Sequence, residues 1–219
     1  MNKDTKSSIE RQSFTALASK AKIIPVVTIQ RKDDAVPLAR ALVAGGLALI
    51  EITLRTEAGL EAIRAIAEEV PEACVGAGTV REPVQGSKAI AAGARFIVSP
   101  GATDRLLDAA PGWDAAYLPG AGTASEIMRL ADRGITFMKL FPAEAVGGVG
   151  LLKSLAAPFN DLQFCPTGGI DQENAATYLA LPSVTCVGGS WMVPQAALAA
   201  RDWRAVEQLS ARARAVADR

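Results

Sequence analysis

Leu47-Ala-Leu-Ile-Glu-Ile-Thr-Leu54 is apolar at six of its eight positions and follows the pair Gly45-Gly46. Strict alternation would mark a strand with one wet face. A nearly continuous apolar run marks a strand covered on both faces, the habit of parallel sheets. Just upstream, Asp33-Asp34 opens an amphipathic stretch, Ala35–Ala44, which the glycine pair ends. This helix-then-strand unit recurs along the chain. With Leu47–Thr53 taken as one strand, the other candidates are Ile23–Ile29, Ala73–Ala77, Arg95–Val98, Ala115–Leu118, Thr136–Leu140, Leu162–Cys165 and Val184–Val187. Between them, Thr123-Ala-Ser-Glu126 forms a capping box for a helix running to Arg133 and ending at Gly134. Asp171 opens another helix towards Leu181-Pro182, and Ser7–Lys20 and Arg201–Ala217 read as flanking helices.

Eight strands, each followed by a helix, describe an α/β chain folded as a compact (β/α)8 TIM barrel with an extra N-terminal helix within residues 1–22 and a C-terminal one within 200–219. A doubly wound open sheet is the rival that alternation by itself leaves open. No linker-like or low-complexity segment interrupts residues 1–219, which predicts a single domain.

Composition narrows the function. Half of the residues are apolar, enough for one sizeable core, and 23 basic residues balance 23 acidic ones. A neutral chain has no basic field to hold nucleic acid or an anionic membrane, so neither partner is expected. No histidine is present, which removes the commonest general base at neutral pH and the commonest metal ligand. The cysteines, Cys74, Cys165 and Cys186, are scattered through apolar runs and read as buried thiols of a cytoplasmic protein. Residues 1–11 are polar and lack the apolar core of a secretory signal, and no apolar stretch reaches membrane-spanning length.

The informative residues are charges inside strand-like runs. A buried charge is costly unless it is paired or faces a functional cavity. Lys139 lies in Ile135-Thr-Phe-Met-Lys-Leu-Phe141, at a predicted strand end, whereas the other lysines sit in tails, loops or helix surfaces. A snorkelling amine is the bland reading. The bulky flanks favour a desolvated lysine, in which burial disfavours the ammonium and leaves free amine to attack a ketone. Glu51 is the second embedded charge. A salt bridge to Arg55, four residues on, and a proton-transfer role are both open and compatible. Arg55, just past the strand, suits bidentate binding of a carboxylate or phosphate.

Cys165-Pro-Thr-Gly-Gly-Ile170 and Gly188-Gly-Ser190 follow the seventh and eighth strand candidates, where such barrels recurrently bind phosphate. Further glycine turns, Gly76-Ala-Gly-Thr79, Ser99-Pro-Gly101 and Pro119-Gly-Ala-Gly122, follow other strands and place Thr79 and Pro100 at the rim.

These stretches together resemble the 2-keto-3-deoxy-6-phosphogluconate (KDPG) aldolases, class I aldolases of the Entner–Doudoroff pathway. The resemblance rests on Glu51-Ile-Thr-Leu-Arg-Thr56, Val75-Gly-Ala-Gly-Thr79, Ser99-Pro-Gly101, Lys139-Leu-Phe-Pro-Ala-Glu144, Phe164-Cys-Pro-Thr-Gly-Gly169 and Val187-Gly-Gly-Ser-Trp191. It implies a trimeric barrel acting on a phosphorylated keto acid without metal or cofactor, with Lys139 as the Schiff-base lysine and Glu51 as the proton relay. It implies further that Arg55 and Thr79 bind the pyruvyl carboxylate, that Pro100 and Phe141 wall the imine, and that Thr167, Gly168, Gly169 and Ser190 hold the phosphate. The position of Thr167 bears in this family on which C4 stereoisomer is taken, and threonine resembles the gluconate type. Pro119-Gly-Ala-Gly-Thr123 departs from the family, which usually has a branched apolar residue and then Ser before the Thr.

Two alternatives are set beside the aldolase. A sugar-phosphate isomerase or epimerase would use the same phosphate site but needs opposed acid and base groups or a metal. A metabolite-binding barrel would leave the embedded lysine and glutamate unexplained. Main activity on 4-hydroxy-2-oxoglutarate is the alternative within the aldolase reading.

Overall fold

A computed structural model describes residues 14–217. Residues 14–21 are helical (α1) and lead into β1 (Ile23–Val27), followed by α2 (Ala35–Ala44), β2 (Leu49–Thr53), α3 (Ala58–Glu69), β3 (Cys74–Gly78), α4 (Pro83–Ala91), β4 (Phe96–Val98) and α5 (Asp104–Ala109). The second half runs β5 (Ala116–Leu118), β6 (Gly120–Ala121), α6 (Ala124–Asp132), β7 (Phe137–Leu140), α7 (Gly148–Leu155), β8 (Gln163–Pro166), α8 (Ala175–Leu179), β9 (Val187–Gly189), α9 (Gln195–Ala200) and α10 (Trp203–Ala217). Pairing is parallel, in a six-stranded sheet ordered β5-β4-β3-β2-β1-β9 and a three-stranded one ordered β6-β7-β8. Single parallel bridges, Phe164 to Val184 and Thr167 to Gly188, connect the flanks of β8 and β9.

The continuous apolarity of the strands has a direct cause. Successive side chains point to opposite faces, and each face meets its own core. Ile24, Leu49, Phe96, Val98, Phe137 and Cys165 belong to one cluster, which Phe14 and Ala18 of α1 join. Their neighbours Ile23, Ile50, Ile97, Met138 and Phe164 belong to the other, with Leu38, Leu42, Ile63, Ile66 and Leu152 from the helices. The Phe14 ring stacks on Phe96 at 4.9 Å and tilts towards Phe137 at 6.0 Å, so α1 fills one end of the inner cluster. Polar groups of the inner face therefore collect towards the C-terminal ends of the strands.

Several boundaries differ from those expected. The eighth strand lies at Val187–Gly189 rather than Val184–Val187. Gly188 and Gly189 look like a turn but pair in register with Ile24 and Pro25. They are glycines because a Cβ would lie 2.4 Å from Thr167 Oγ1 at 188 and 1.9 Å from the Trp191 ring at 189. The fifth strand breaks at Pro119, whose carbonyl still accepts from Lys139 N at 2.8 Å although the ring leaves no N–H to pair. The helix expected from Asp171 begins at Ala175, because the Asp171 carboxylate accepts from Glu173 N (2.8 Å) and Asn174 N (3.0 Å) and shapes a turn. The trailing helix expected over Arg201–Ala217 is α10, which begins at Trp203 because Arg201, with a left-handed φ of 53° and its Nε donating to Asp34 Oδ1 at 2.8 Å, separates it from α9. Residues 218–219, and residues 1–13 of the leading segment, lie outside the described residues. Cys165 and Cys186 are buried as expected, whereas Cys74 is only half-buried, and all three are free thiols. Among the described residues no helix is long and apolar enough to cross a membrane.

Candidate active site

Glu51 is the middle residue of β2, flanked in register by Val26 of β1 and Gly76 of β3. Leu49 and Glu51 share the inner face by their spacing of two. The opposite face carries Ile50 and Ile52, so the carboxylate cannot turn outward without entering the helix-facing core. Lys139 reaches the inner face from β7, two residues beyond Phe137, between Gly120 of β6 and Cys165 of β8. Both side chains are almost completely buried, and Nζ lies 3.6 Å from Glu51 Oε1. The structure thus answers the question left open for Glu51: its partner is Lys139, while Arg55 turns instead to Thr79. Nζ also stands 5.0 Å over the Phe141 ring, whose negative face favours a cation there.

Two glycines of β3 make this arrangement possible. A Cβ at Gly78 would sit 2.0 Å from Glu51 Oε1, and one at Gly76 would strike the Phe96 ring at 2.5 Å. Gly76 clears the ring layer beneath, and Gly78 clears the carboxylate. Gly78 sits in a turn motif visible in the sequence, but its service to Glu51 had no local signal.

Beyond β2, Arg55 Nε donates to Thr79 Oγ1 at 3.0 Å. Thr79 adopts a left-handed φ of 59°, a conformation costing a β-branched residue on the order of 1–3 kcal/mol and typical of functional sites. Thr28 and Thr53, which the sequence reading passed over, share a 2.8 Å hydroxyl bond at the ends of β1 and β2, and Thr56 bonds the Ile29 carbonyl at 2.5 Å. Threonines recurring at the C-terminal ends of consecutive strand candidates were the available signal.

A cavity of about 560 Å³ opens at this end of the strands and brings together Arg55, Phe141, Thr167, Gly168, Gly169 and Ser190. Lys139 and Glu51 are not in its lining, but Phe141, which is, carries its ring 5.0 Å from Lys139 Nζ. Pro100 is not in this lining; its carbonyl faces Gly120, the residue paired with Lys139.

The turn after β8 is built to present amides. Ala143 N donates to Thr167 O (2.8 Å) and Glu144 N to Gly168 O (3.1 Å). In a trans peptide the N–H points opposite to the carbonyl, so the Gly168 and Gly169 amides face away from these anchors. Their φ values, +98° and +80°, are the left-handed ones that favour glycine. Successive amides in such a concavity attract an anion.

A second cavity, of about 340 Å³, lies near Phe14, Tyr117 and Phe137, and the one charged side chain among the described residues that line it, Arg133, is paired with Asp108. There burial pushes the Tyr117 phenol up to about 12 despite its bond with Ser99 Oγ, so it is a neutral group. Among the described residues no group of three or more Cys, Asp and Glu is placed to hold a metal ion.

The chain as a whole has counterparts among known proteins. The family model of KDPG and KHG aldolase matches residues 15–209. The chain belongs to that aldolase family. Within it, the KHG/KDPG aldolase of Escherichia coli K12 is 48% identical over 200 residues, covering 91% of this chain and 94% of that one. Among solved structures, the KDPG aldolase of Legionella pneumophila, with pyruvate captured at low pH as a covalent carbinolamine intermediate, is 42% identical with a TM-score of 0.88, covering 90% of this chain and 96% of that one. The Zymomonas mobilis ZM4 aldolase with 3-phosphoglycerate is 44% identical with a TM-score of 0.89, covering 94% and 96%.

Proposed function

We propose that this protein is a class I aldolase that cleaves KDPG to pyruvate and D-glyceraldehyde 3-phosphate through a Schiff base on Lys139. The observation that carries the proposal is the buried amine 3.6 Å from a buried carboxylate, in contact with Phe141 of a cavity lined by the Gly168-Gly169 turn. Likeness to aldolases solved with pyruvate and with 3-phosphoglycerate supports it.

Neutral Lys139 attacks the C2 ketone, and a proton from Glu51 lets the carbinolamine lose water to give the cationic imine. The C4 hydroxyl then gives its proton to Glu51, the C3–C4 electron pair flows into the imine, and glyceraldehyde 3-phosphate leaves. Protonation of the enamine at C3 and addition of water release pyruvate and restore the amine. The Phe141 ring face supports the positive imine. Arg55 and Thr79 hold the pyruvyl carboxylate, Pro100 walls the imine side, and Thr167, Gly168, Gly169 and Ser190 take the phosphate. The distal end is where 4-hydroxy-2-oxoglutarate would differ, since its chain ends in a carboxylate at C5 and lacks the phosphorylated C6 altogether.

The same reading takes residues 1–219 as one domain and the two sheets as parts of a single (β/α)8 barrel whose lower end is filled by the N-terminal helix. The bridge from Thr167 to Gly188 supports the closure at one seam, and the run from β5 through Pro119 into β6 at the other. A homotrimer in the cytoplasm completes the proposal, supported by the family resemblance and, for the compartment, by three free thiols.

Borohydride reduction with pyruvate tests the central step. The wild type is expected to gain one reduced pyruvyl adduct, mapped to Lys139, and Lys139→Ala none. An adduct of the same stoichiometry on Lys139→Ala would refute the assignment.

A further inference from the structure

Glu144 and Tyr178 have no part in the chemistry above, yet they meet directly behind the turn that takes the phosphate. Tyr178 lies on α8 and is fully buried, while Glu144 follows β7 and is largely exposed. The Tyr178 hydroxyl donates to Glu144 Oε1. We propose that this pair is a positioning device that keeps the Gly168-Gly169 turn in its anion-binding conformation, an inference that rests on reading that turn as the phosphate site.

Three contacts carry the argument. The backbone of Ala143 and Glu144 holds the carbonyls of Thr167 and Gly168, which aims the following amides away from it. The Glu144 stem crosses Gly169 so closely that a Cβ there would sit 2.5 Å from Glu144 Cγ and 2.6 Å from its Cβ. Swinging the Glu144 side chain would therefore change the space available to the turn. The hydroxyl bond prevents that swing, and Gly148 leaves room for it: a Cβ at 148 would approach Tyr178 Oη to 2.8 Å and Glu144 Oε1 to 3.1 Å. The far side of the turn is tied separately, by Asn174 Nδ2 donating to Gly169 O at 2.8 Å. Burial first, and the neighbouring Glu144 second, raise the Tyr178 pKa, so the phenol stays a donor throughout the working pH range.

A merely structural role would be to satisfy a buried hydroxyl. Tyr178→Phe removes that hydroxyl together with its need for a partner, a change that is often nearly neutral for folding. The variants to compare are therefore Tyr178→Phe, Glu144→Ala and Glu144→Gln, the last keeping an acceptor for the phenol. In Tyr178→Phe and Glu144→Ala the KM for KDPG is expected to rise about 3- to 10-fold, in line with one lost hydrogen bond. Their kcat and the rate of borohydride trapping with pyruvate, which carries no phosphate, should stay at wild-type values. Glu144→Gln should restore the wild-type KM. Inorganic phosphate, added as competitor, should lose potency in the two affected variants by the same factor.

An unchanged KM in Tyr178→Phe, or a matching loss in pyruvate trapping, would overturn the proposal. Should Tyr178→Phe not fold, Glu144→Ala decides the matter at an exposed position. Phosphate competing equally well against wild type and Glu144→Ala overturns the brace alone. If phosphate fails to compete even against the wild type, the phosphate reading of the turn falls and takes the brace with it.

Discussion

Alanine at position 78 separates the reach of Glu51 from everything else in the site. The backbone at Gly78 is not left-handed, so alanine brings no φ strain, and only the added methyl matters. That methyl would stand 2.0 Å from Glu51 Oε1 and 2.6 Å from both Cδ and Cγ. Comfortable contact between such atoms needs about 3.5 Å, so the carboxylate must retreat by more than about 1 Å. A retreat of that size removes it from the 3.6 Å contact with Lys139 Nζ. General acid–base catalysis typically supplies about 10²–10⁴-fold, and we expect Gly78→Ala to lower kcat by at least about 10²-fold, or about 2.7 kcal/mol of barrier. Overpacking of this kind costs about 1–3 kcal/mol of stability, within the usual margin of about 5–15 kcal/mol. Pyruvate release measured by a coupled assay, beside thermal unfolding, separates the two effects. The decisive control is the same change in a Glu51→Ala background, where no carboxylate remains to be displaced and the second substitution should add little. Wild-type kcat in Gly78→Ala, or an undiminished loss in the Glu51→Ala background, would refute the reasoning.

Two further outcomes follow from strained or capped positions. Thr79→Gly relieves the left-handed φ of 59° but removes the hydroxyl that Arg55 holds, so Tm should stay level or rise while kcat/KM falls; a matching fall in both would deny that the strain serves the site. Glu126 accepts from the Gly122 and Thr123 amides, and those bonds hold its carboxyl below the usual range. A depressed native pKa gives stability that is present above the unfolded value and lost as pH falls through the native one. Acid titration of Tm should therefore show wild type losing more than Glu126→Gln on the acid side of the ordinary glutamate range, and parallel curves would deny it.

Much of the site was legible because burial leaves a trace in local sequence. A charge flanked by large apolar residues, as at Lys139 and Glu51, has to be explained wherever the strand lies. The capping box at Thr123 is likewise local chemistry, and the structure places Thr123 Oγ1 accepting from Glu126 N at 3.3 Å. The eighth strand was misplaced because Gly188 answers to Thr167, which lies outside any short window around it, and its pairing with Ile24 of β1 leaves no local trace. The late start of the trailing helix, after Arg201, depends in the same way on Asp34, 167 residues away.

The amino-acid sequence alone therefore determined the parallel α/β pattern, the absence of histidine, and which lysine and carboxylate were out of place, since each of these is a property of composition or of neighbours along the chain. Which groups face one another was decided by the tertiary structure. Strand pairing set Glu51 against Lys139 rather than Arg55, let Gly78 make room for the carboxylate, and brought Tyr178 behind the Gly168-Gly169 turn. The contacts Glu51–Gly78, Glu144–Tyr178 and Glu51–Lys139 join residues 27, 34 and 88 positions apart. Only the register of the sheet and the packing of its helices bring such residues within bonding distance.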